Sequence, residues 1–165
     1  MTTNFQLEDY VKKHKHRLGN QHFLGVFPSD ELPDAVGKNQ CLIINYSPND
    51  KAGTHWVAMR NLNNSLKPAE YFDSYGLAPD QADPLLRLKT HMRNYIVEHS
   101  SSSYIYNSID LQSWKEGQDE CGEWALLFIM EGLPNVNNPV WAKFLYQRDK
   151  ELRDRMVKKY IGIRK

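Results

Sequence analysis

The chain has 165 residues and a formal net charge of +1, so bulk charge points to no particular partner. That length fits one domain and leaves no room for two ordinary ones, so residues 1–165 are read as a single unit. No apolar run approaches the roughly 18 residues of a membrane span, and no transmembrane helix is expected.

Residues 4–18 read as a short basic helix. Leu7, Tyr10, Val11 and Leu18 recur near helical spacing, and Gly19 is a stop. Residues 22–34, with Gly25, Pro28 and Pro33, read as a turn-rich connection, with Ser29 opening one helical turn. Cys41-Leu42-Ile43-Ile44-Asn45-Tyr46 is a nearly continuous apolar run between turn formers, the pattern of a buried central strand. His55–Asn61 and Ala69–Asp73 are strand-like, and the turn formers between them predict a hairpin. A turn centred on Asn64 sets His55 opposite Asp73, with Cβ atoms about 4.5–5.5 Å apart. Pro84–Glu98 carries the apolar stripe of a second helix, and Tyr104–Tyr106 reads as a further strand. Residues 107–120 form an irregular, charged loop. Cys121–Glu131 is apolar around most of its circumference, so it predicts a buried helix, ended by Gly132-Leu133-Pro134. A last helix is expected over 139–160. The expectation is an α+β fold with a central mixed or antiparallel sheet packed by helices.

There are only two cysteines, Cys41 and Cys121, and no secretory leader is read at the start. Reduced thiols are therefore expected, in a protein that is not secreted. No Cys-x-x-Cys or His-x-x-x-His spacing occurs on a plausible element, so no metal is expected. Cys41 sits mid-strand and reads as core packing, and His22, His91 and His99 read as surface or structural.

One ordered set of residues carries chemistry: Thr54-His55-Trp56, then Tyr71-Phe72-Asp73-Ser74, then Asp119-Glu120-Cys121-Gly122. A thiol, an imidazole and a carboxylate are the parts of a cysteine nucleophile, its base and the base's orienter. Cys121 at a helix start is favoured as thiolate by the helix dipole. Asp119 and Glu120 oppose that charge unless they cap the helix or face solvent. Gly122 leaves room for a substrate backbone beside the sulfur, and Trp56 is placed to shield the ion pair from water. An oxyanion hole needs donors, for which the Cys121 backbone N–H and a side-chain amide, Gln112 or Gln118, are the candidates.

Across residues 41–131 these motifs resemble a clan of cysteine proteases. It contains the adenovirus maturation protease (adenain) and the SUMO-deconjugating ubiquitin-like-protein proteases. The order His–Asp–Cys fits that clan and not papain. The resemblance implies His55 as base, Asp73 as orienter, Cys121 as nucleophile and a glutamine in the oxyanion hole. The family glutamine lies closer to the cysteine than Gln112 does and farther from it than Gln118. Gln112 is preferred, because Leu-Gln followed by a loop to the cysteine matches the family's arrangement. The segment Gly25–Pro33 resembles the adenain-like proteases of polinton-type viruses and virophages (Mavirus-type).

The resemblance implies a viral endopeptidase that cleaves capsid or precursor polypeptides during virion maturation, located in the virion and the infected cell. No cofactor is required by the residues themselves; DNA or an activating peptide is a possibility that the family brings. The basic runs Lys12–Arg17 and Lys158–Lys165 are candidate DNA contacts. The alternatives are a deconjugase of a ubiquitin-like modifier and a non-catalytic DNA- or capsid-binding protein on a protease-like fold.

Overall fold

Cys41, Leu42, Ile43 and Ile44 are all fully buried, which requires cover on both faces of the strand they occupy. The computed structural model describes residues 1–47, 55–62, 69–79, 94, 95, 98 and 104–163. Within them β1 (His22–Pro28), β2 (Gln40–Asn45), β3 (Trp56–Asn61), β4 (Ala69–Phe72) and β5 (Tyr104–Tyr106) lie side by side in chain order. The pairs β1–β2 and β4–β5 are parallel, while β3 runs antiparallel to both its neighbours. The described helices are α1 (Asn4–Lys13), α2 (Cys121–Glu131), α3 (Pro139–Leu145) and α4 (Lys150–Ile161). The fold is α+β with a mixed sheet. Among the described residues no helix is long and apolar enough to cross a membrane.

Strand alternation assigns the two faces. Cys41, Ile43, Trp56, Ala58 and Phe72 face α1, α2 and α4, while Leu42, Ile44, Val57, Met59 and Tyr71 face Val36, Tyr46 and Tyr95. Helix α2 is buried from Cys121 to Ile129, as its all-round apolar character predicts. Its Phe128 stacks on Phe72 at 5.1 Å between centroids, and its Trp124 lies nearly parallel to Trp141 at 6.1 Å. The helix is thereby seated across the middle of the sheet, with its N-terminus directed to one sheet end.

Several expectations need correction. Residues 22–28 form a strand rather than a loop. Gly25, at φ +138°, takes a conformation that L side chains rarely adopt, and the β1–β2 register shifts between Phe23 and Val26. The glycine that reads as a turn signal is a strand irregularity. Ser29 opens no helix; Glu31 N–H closes a turn on the Pro28 carbonyl at 3.1 Å. The first helix is α-helical only to Lys13 and tightens to a 3-10 turn over Lys15–Leu18. The last helix is two. Asp149 caps α4 by accepting from Leu152 N–H, and α3 ends at Leu145. The predicted helix over 84–98 lies largely outside the described residues; Asn94, Tyr95 and Glu98 are helical.

The β3–β4 register also differs. Ala58 pairs with Phe72, where the Asn64-centred turn would set it against Glu70. A two-residue displacement keeps every side chain on its face, whereas one residue would have inverted them. His55 and Asp73 thus stay on the same face, but just beyond the strand ends and not directly opposed.

Truncating the sheet-to-helix contact tests this packing. Phe128→Ala is expected to cost about 3–5 kcal/mol in urea denaturation. Phe5→Ala, at a residue 78% exposed, is expected to stay within about 0.5 kcal/mol.

Candidate active site

The strand directions bring five segments to one end of the sheet. β2 ends there before Tyr46, β3 begins there after His55, β4 ends there before Asp73, and β5 ends there before Asn107. Helix α2 starts at the same end with Cys121. Three distant sequence motifs therefore meet because strands terminate and a helix begins at one edge.

His55 and Asp73 are both buried, and His55 Nε2 meets Asp73 Oδ1 at 2.9 Å. Nδ1 is then the nitrogen left to face Cys121, whose charge adds to the hold on the ring proton. Burial by itself disfavours the imidazolium. The Asp73 charge and hydrogen bond, with a smaller contribution from Cys121, outweigh it and raise His55 to about 10. Acid and ring are thus in contact, and the thiol lies at the same end of the sheet. Cys121 is itself only 2% exposed, at the first residue of α2.

Asp73 is held on every side. Its Oδ1 also accepts from Tyr75 N–H at 2.8 Å, and its Oδ2 accepts from Tyr46 O–H at 3.4 Å. Tyr46 and Tyr71 hydroxyls meet at 2.6 Å, and burial raises both phenols, so they remain protonated donors. Asn107 Nδ2 donates to the Asp73 carbonyl at 2.8 Å. Tyr46, Tyr71 and Asn107 are site residues that motif reading missed. The tyrosines read as strand apolars and Asn107 as loop; an Asn two residues before the Ile109 N–H it binds is the one local signal.

The ring of His55 is covered by aromatics. Tyr75 stacks on it at 4.9 Å and Tyr46 meets it edge-on at 5.4 Å. Trp114, 61% exposed, stacks in turn on Tyr75 at 3.9 Å. Burial, then the Cys121 and Asp73 charges, push the Tyr75 phenol up to about 12. Trp56 does not serve this purpose. One residue after His55 in the chain, it points to the opposite, helix-covered face, where its Nε1 donates to the Thr2 carbonyl at 3.1 Å. The space beside Gly122 is also filled from inside: a Cβ there would lie 3.2 Å from Leu7 and from Trp56 and 3.3 Å from Thr2. Its missing side chain admits the N-terminal segment rather than a substrate backbone.

Neither acid before Cys121 caps α2. Glu120 occupies the cap position, but its carboxylate takes Lys158 Nζ at 2.8 Å and Asp119 N–H at 2.9 Å. Asp119 pairs with the Met1 amino group and with Lys158 at 3.7 Å. Lys158 therefore offsets the negative charge beside Cys121, and this part of the second basic run is engaged within the protein. Arg164 and Lys165 lie outside the described residues.

The two glutamines are placed very differently. Gln112 is 1% exposed; its backbone N–H donates to the Ser74 carbonyl at 3.0 Å, and its Oε1 accepts from Ser74 O–H at 2.6 Å. Gln118 is partly exposed on the turn from Lys115, and its side chain makes no hydrogen bond among the described residues. Gly76 makes the Ser74 clasp possible. At φ +74° its Cβ position lies 2.7–2.9 Å from backbone atoms of Ile109 and Asp110, so only glycine lets the two loops close together. Cys41 is a packed strand thiol that burial pushes up to about 12, and both cysteines are free. His22 is exposed, and His91 and His99 lie outside the described residues. Among the described residues no group of His, Cys, Asp or Glu is arranged to hold a metal ion.

An α+β sheet that presents His, Asp and Cys at one end, with the cysteine opening a buried helix, is a fold shared with a viral cysteine protease. The crystal structure of the African swine fever virus protease superposes with a TM-score of 0.50 at 15% identity, over 100% of this chain and 68% of that one. In sequence, the chain is 25% identical over 154 residues to the SUMO-1 cysteine protease of African swine fever virus (Tick/South Africa/Pretoriuskop isolate), 87% of this chain and 53% of that protein. The cysteine protease of the Vero-adapted Badajoz strain matches to the same extent. The chain spans about half the length of these curated relatives. No family model matches it.

The site predicts its own titration. Asp73→Asn withdraws the carboxylate, so His55 loses its proton at lower pH than in the wild type, read by NMR titration of the ring. The wild-type pair stabilises the fold fully below the unfolded histidine value near 6.5 and loses that contribution as pH rises toward about 10. The denaturation midpoint is therefore expected to fall over that range in the wild type and less in the variant.

Proposed function

We propose that the protein is a viral cysteine endopeptidase acting through His55, Asp73 and Cys121. The observation that carries this is the 2.9 Å contact of His55 Nε2 with Asp73, which leaves Nδ1 to serve Cys121 at a helix N-terminus. The names of the African swine fever virus relatives support the class.

In this reading the Cys121 thiolate attacks the scissile carbonyl carbon, forming a C–S bond. The carbonyl oxygen takes the negative charge and accepts from the Cys121 backbone N–H and Gln112 Nε2. The His55 imidazolium protonates the leaving amine as the C–N bond breaks, and Asp73 holds the ring's orientation throughout. Water, deprotonated by His55, then hydrolyses the thioester and restores the thiolate. The Ser74 contact supports Gln112 over Gln118. By occupying Oε1 with a donor, it determines which end of the amide carries the free N–H groups.

The substrates proposed are capsid or other precursor polypeptides processed during virion maturation, in the virion or the infected cell, as in the Mavirus-type proteases that the Gly25–Pro33 segment resembles. No cofactor enters the chemistry. DNA and an activating peptide are proposed only as accessory factors, with the exposed Lys12, Lys13 and Lys15 as the DNA contact. A second reading, removal of a ubiquitin-like modifier, is favoured by one observation, the printed name of the relative as a SUMO-1 cysteine protease.

The test is a digest of a diverse peptide library by wild type and Cys121→Ala, at low and moderate salt, with and without DNA, read by mass spectrometry. Cleavage by wild type alone at a short motif is expected. Cleavage only of folded modifier fusions would favour deconjugation, and no turnover of either substrate would sink both readings. On the peptide cleaved best, Gln112→Ala is expected to lower kcat by about 10²–10³-fold, while Gln118→Ala leaves it within about twofold.

A further inference from the structure

Helix α4 approaches the Gln112 loop from the side opposite Ser74. Arg153 Nη1 donates to the carbonyls of Asp110 and Leu111, each at 3.1 Å, and its Nε and Nη2 grip the Gln147 carbonyl at 3.1 and 2.6 Å. Asp154, fully buried, spends one oxygen on Ser113 N–H at 2.9 Å and the other on Trp124 Nε1 at 2.8 Å. Trp124 belongs to α2, three residues after Cys121. One carboxylate thus cross-links the loop that carries Gln112 to the helix that carries the nucleophile. Lys158, four residues on and on the same face of α4, reaches Glu120 immediately before Cys121.

Gln112 is therefore flanked on three sides. The residues before it are held through their carbonyls by Arg153 and the residue after it through its N–H by Asp154. Its own backbone N–H and Oε1 are held by Ser74. Of its side chain only the Nε2 amino group is left, and among the described residues it has no hydrogen-bond partner. A buried carboxylate is costly unless both oxygens are satisfied, and a well-packed apolar residue would stabilise the fold as well. What an apolar side chain cannot do is set the distance between a loop amide and a helix N-terminus.

We infer that Asp154, assisted by Arg153, is a positioning residue. It acts through the backbone of residues 110–113 to hold the Gln112 amide at a fixed distance from Cys121, where the oxyanion develops. This rests on the endopeptidase reading and adds to it the element that sets the oxyanion hole.

The experiment compares Asp154→Asn and Arg153→Lys with wild type on the peptide the wild type cleaves best. Three readouts separate positioning from general loosening. Turnover requires the hole, and so does binding of a peptide aldehyde, whose thiohemiacetal carries a tetrahedral oxygen. Alkylation of Cys121 by iodoacetamide needs the His55–Cys121 pair and no hole. The inference predicts that kcat and aldehyde affinity fall together by about ten- to a hundredfold, with KM and the alkylation rate within about threefold. In a Gln112→Ala background Asp154→Asn should cost little more, since the amide it positions is gone. Arg153→Lys, which keeps the charge and the stem, decides the matter should Asp154→Asn fail to fold. Unchanged kcat in folded variants overturns the inference. So does alkylation that falls in parallel with kcat, or a cycle with Gln112→Ala that is fully additive. A wild type that neither cleaves peptides nor binds the aldehyde overturns the endopeptidase reading itself, and this inference with it, before any variant is made.

Discussion

A histidine and an aspartate buried against one another form the constraint around which the rest of this site is arranged. Neither charge could be taken out of water alone. Asp73 is tolerated because its oxygens receive donors from His55, the Tyr75 backbone and Tyr46, and because its own backbone carbonyl is tied by Asn107. Each donor comes from a different segment that ends at the same edge of the sheet. The ion pair is thus less a product of the hairpin than of the whole sheet terminating in register. The aromatic cover of Tyr75 and Tyr46 keeps the local dielectric low, which strengthens the pair once it is formed.

Charge management extends to Cys121. Two acids directly precede Cys121, an arrangement that would disfavour a thiolate if they were unpaired. Lys158 on α4 engages both, and the turn from α3 to α4 is what brings that helix near. The restart of the helix at Asp149 carries Arg153, Asp154 and Lys158 into contact with the 110–113 loop and with Glu120.

Much of the site was legible because its chemistry is local. The apolar circumference of Cys121–Glu131 announces a buried helix whose first residue is a cysteine. The strand-like runs that follow His55 and precede Asp73 announce two strands, and even the mistaken register preserved their faces, since an even displacement cannot invert a pleat. The segment over 22–28 was misread for an equally physical reason: Gly25 and Pro28 signal turns locally, yet the parallel pairing with β2 and the core behind Val26 make it a strand. Tertiary contact outweighs propensity in such short segments.

The sequence by itself determined the candidate site residues, their order, and the elements that bear them, because side-chain type and hydrophobic period are properties of neighbouring residues. It also determined that one helix would be buried over most of its length. Only the tertiary structure decided that Gln112 is buried and held by Ser74 while Gln118 is partly exposed. It decided that Trp56 and Gly122 serve packing while Tyr75 covers the histidine. It decided too that Asp154, some thirty residues beyond Cys121, ties the Ser113 backbone to Trp124 of that cysteine's helix. Those outcomes depend on contacts between segments far apart in the chain, and such contacts leave no mark in the spacing of residues along it.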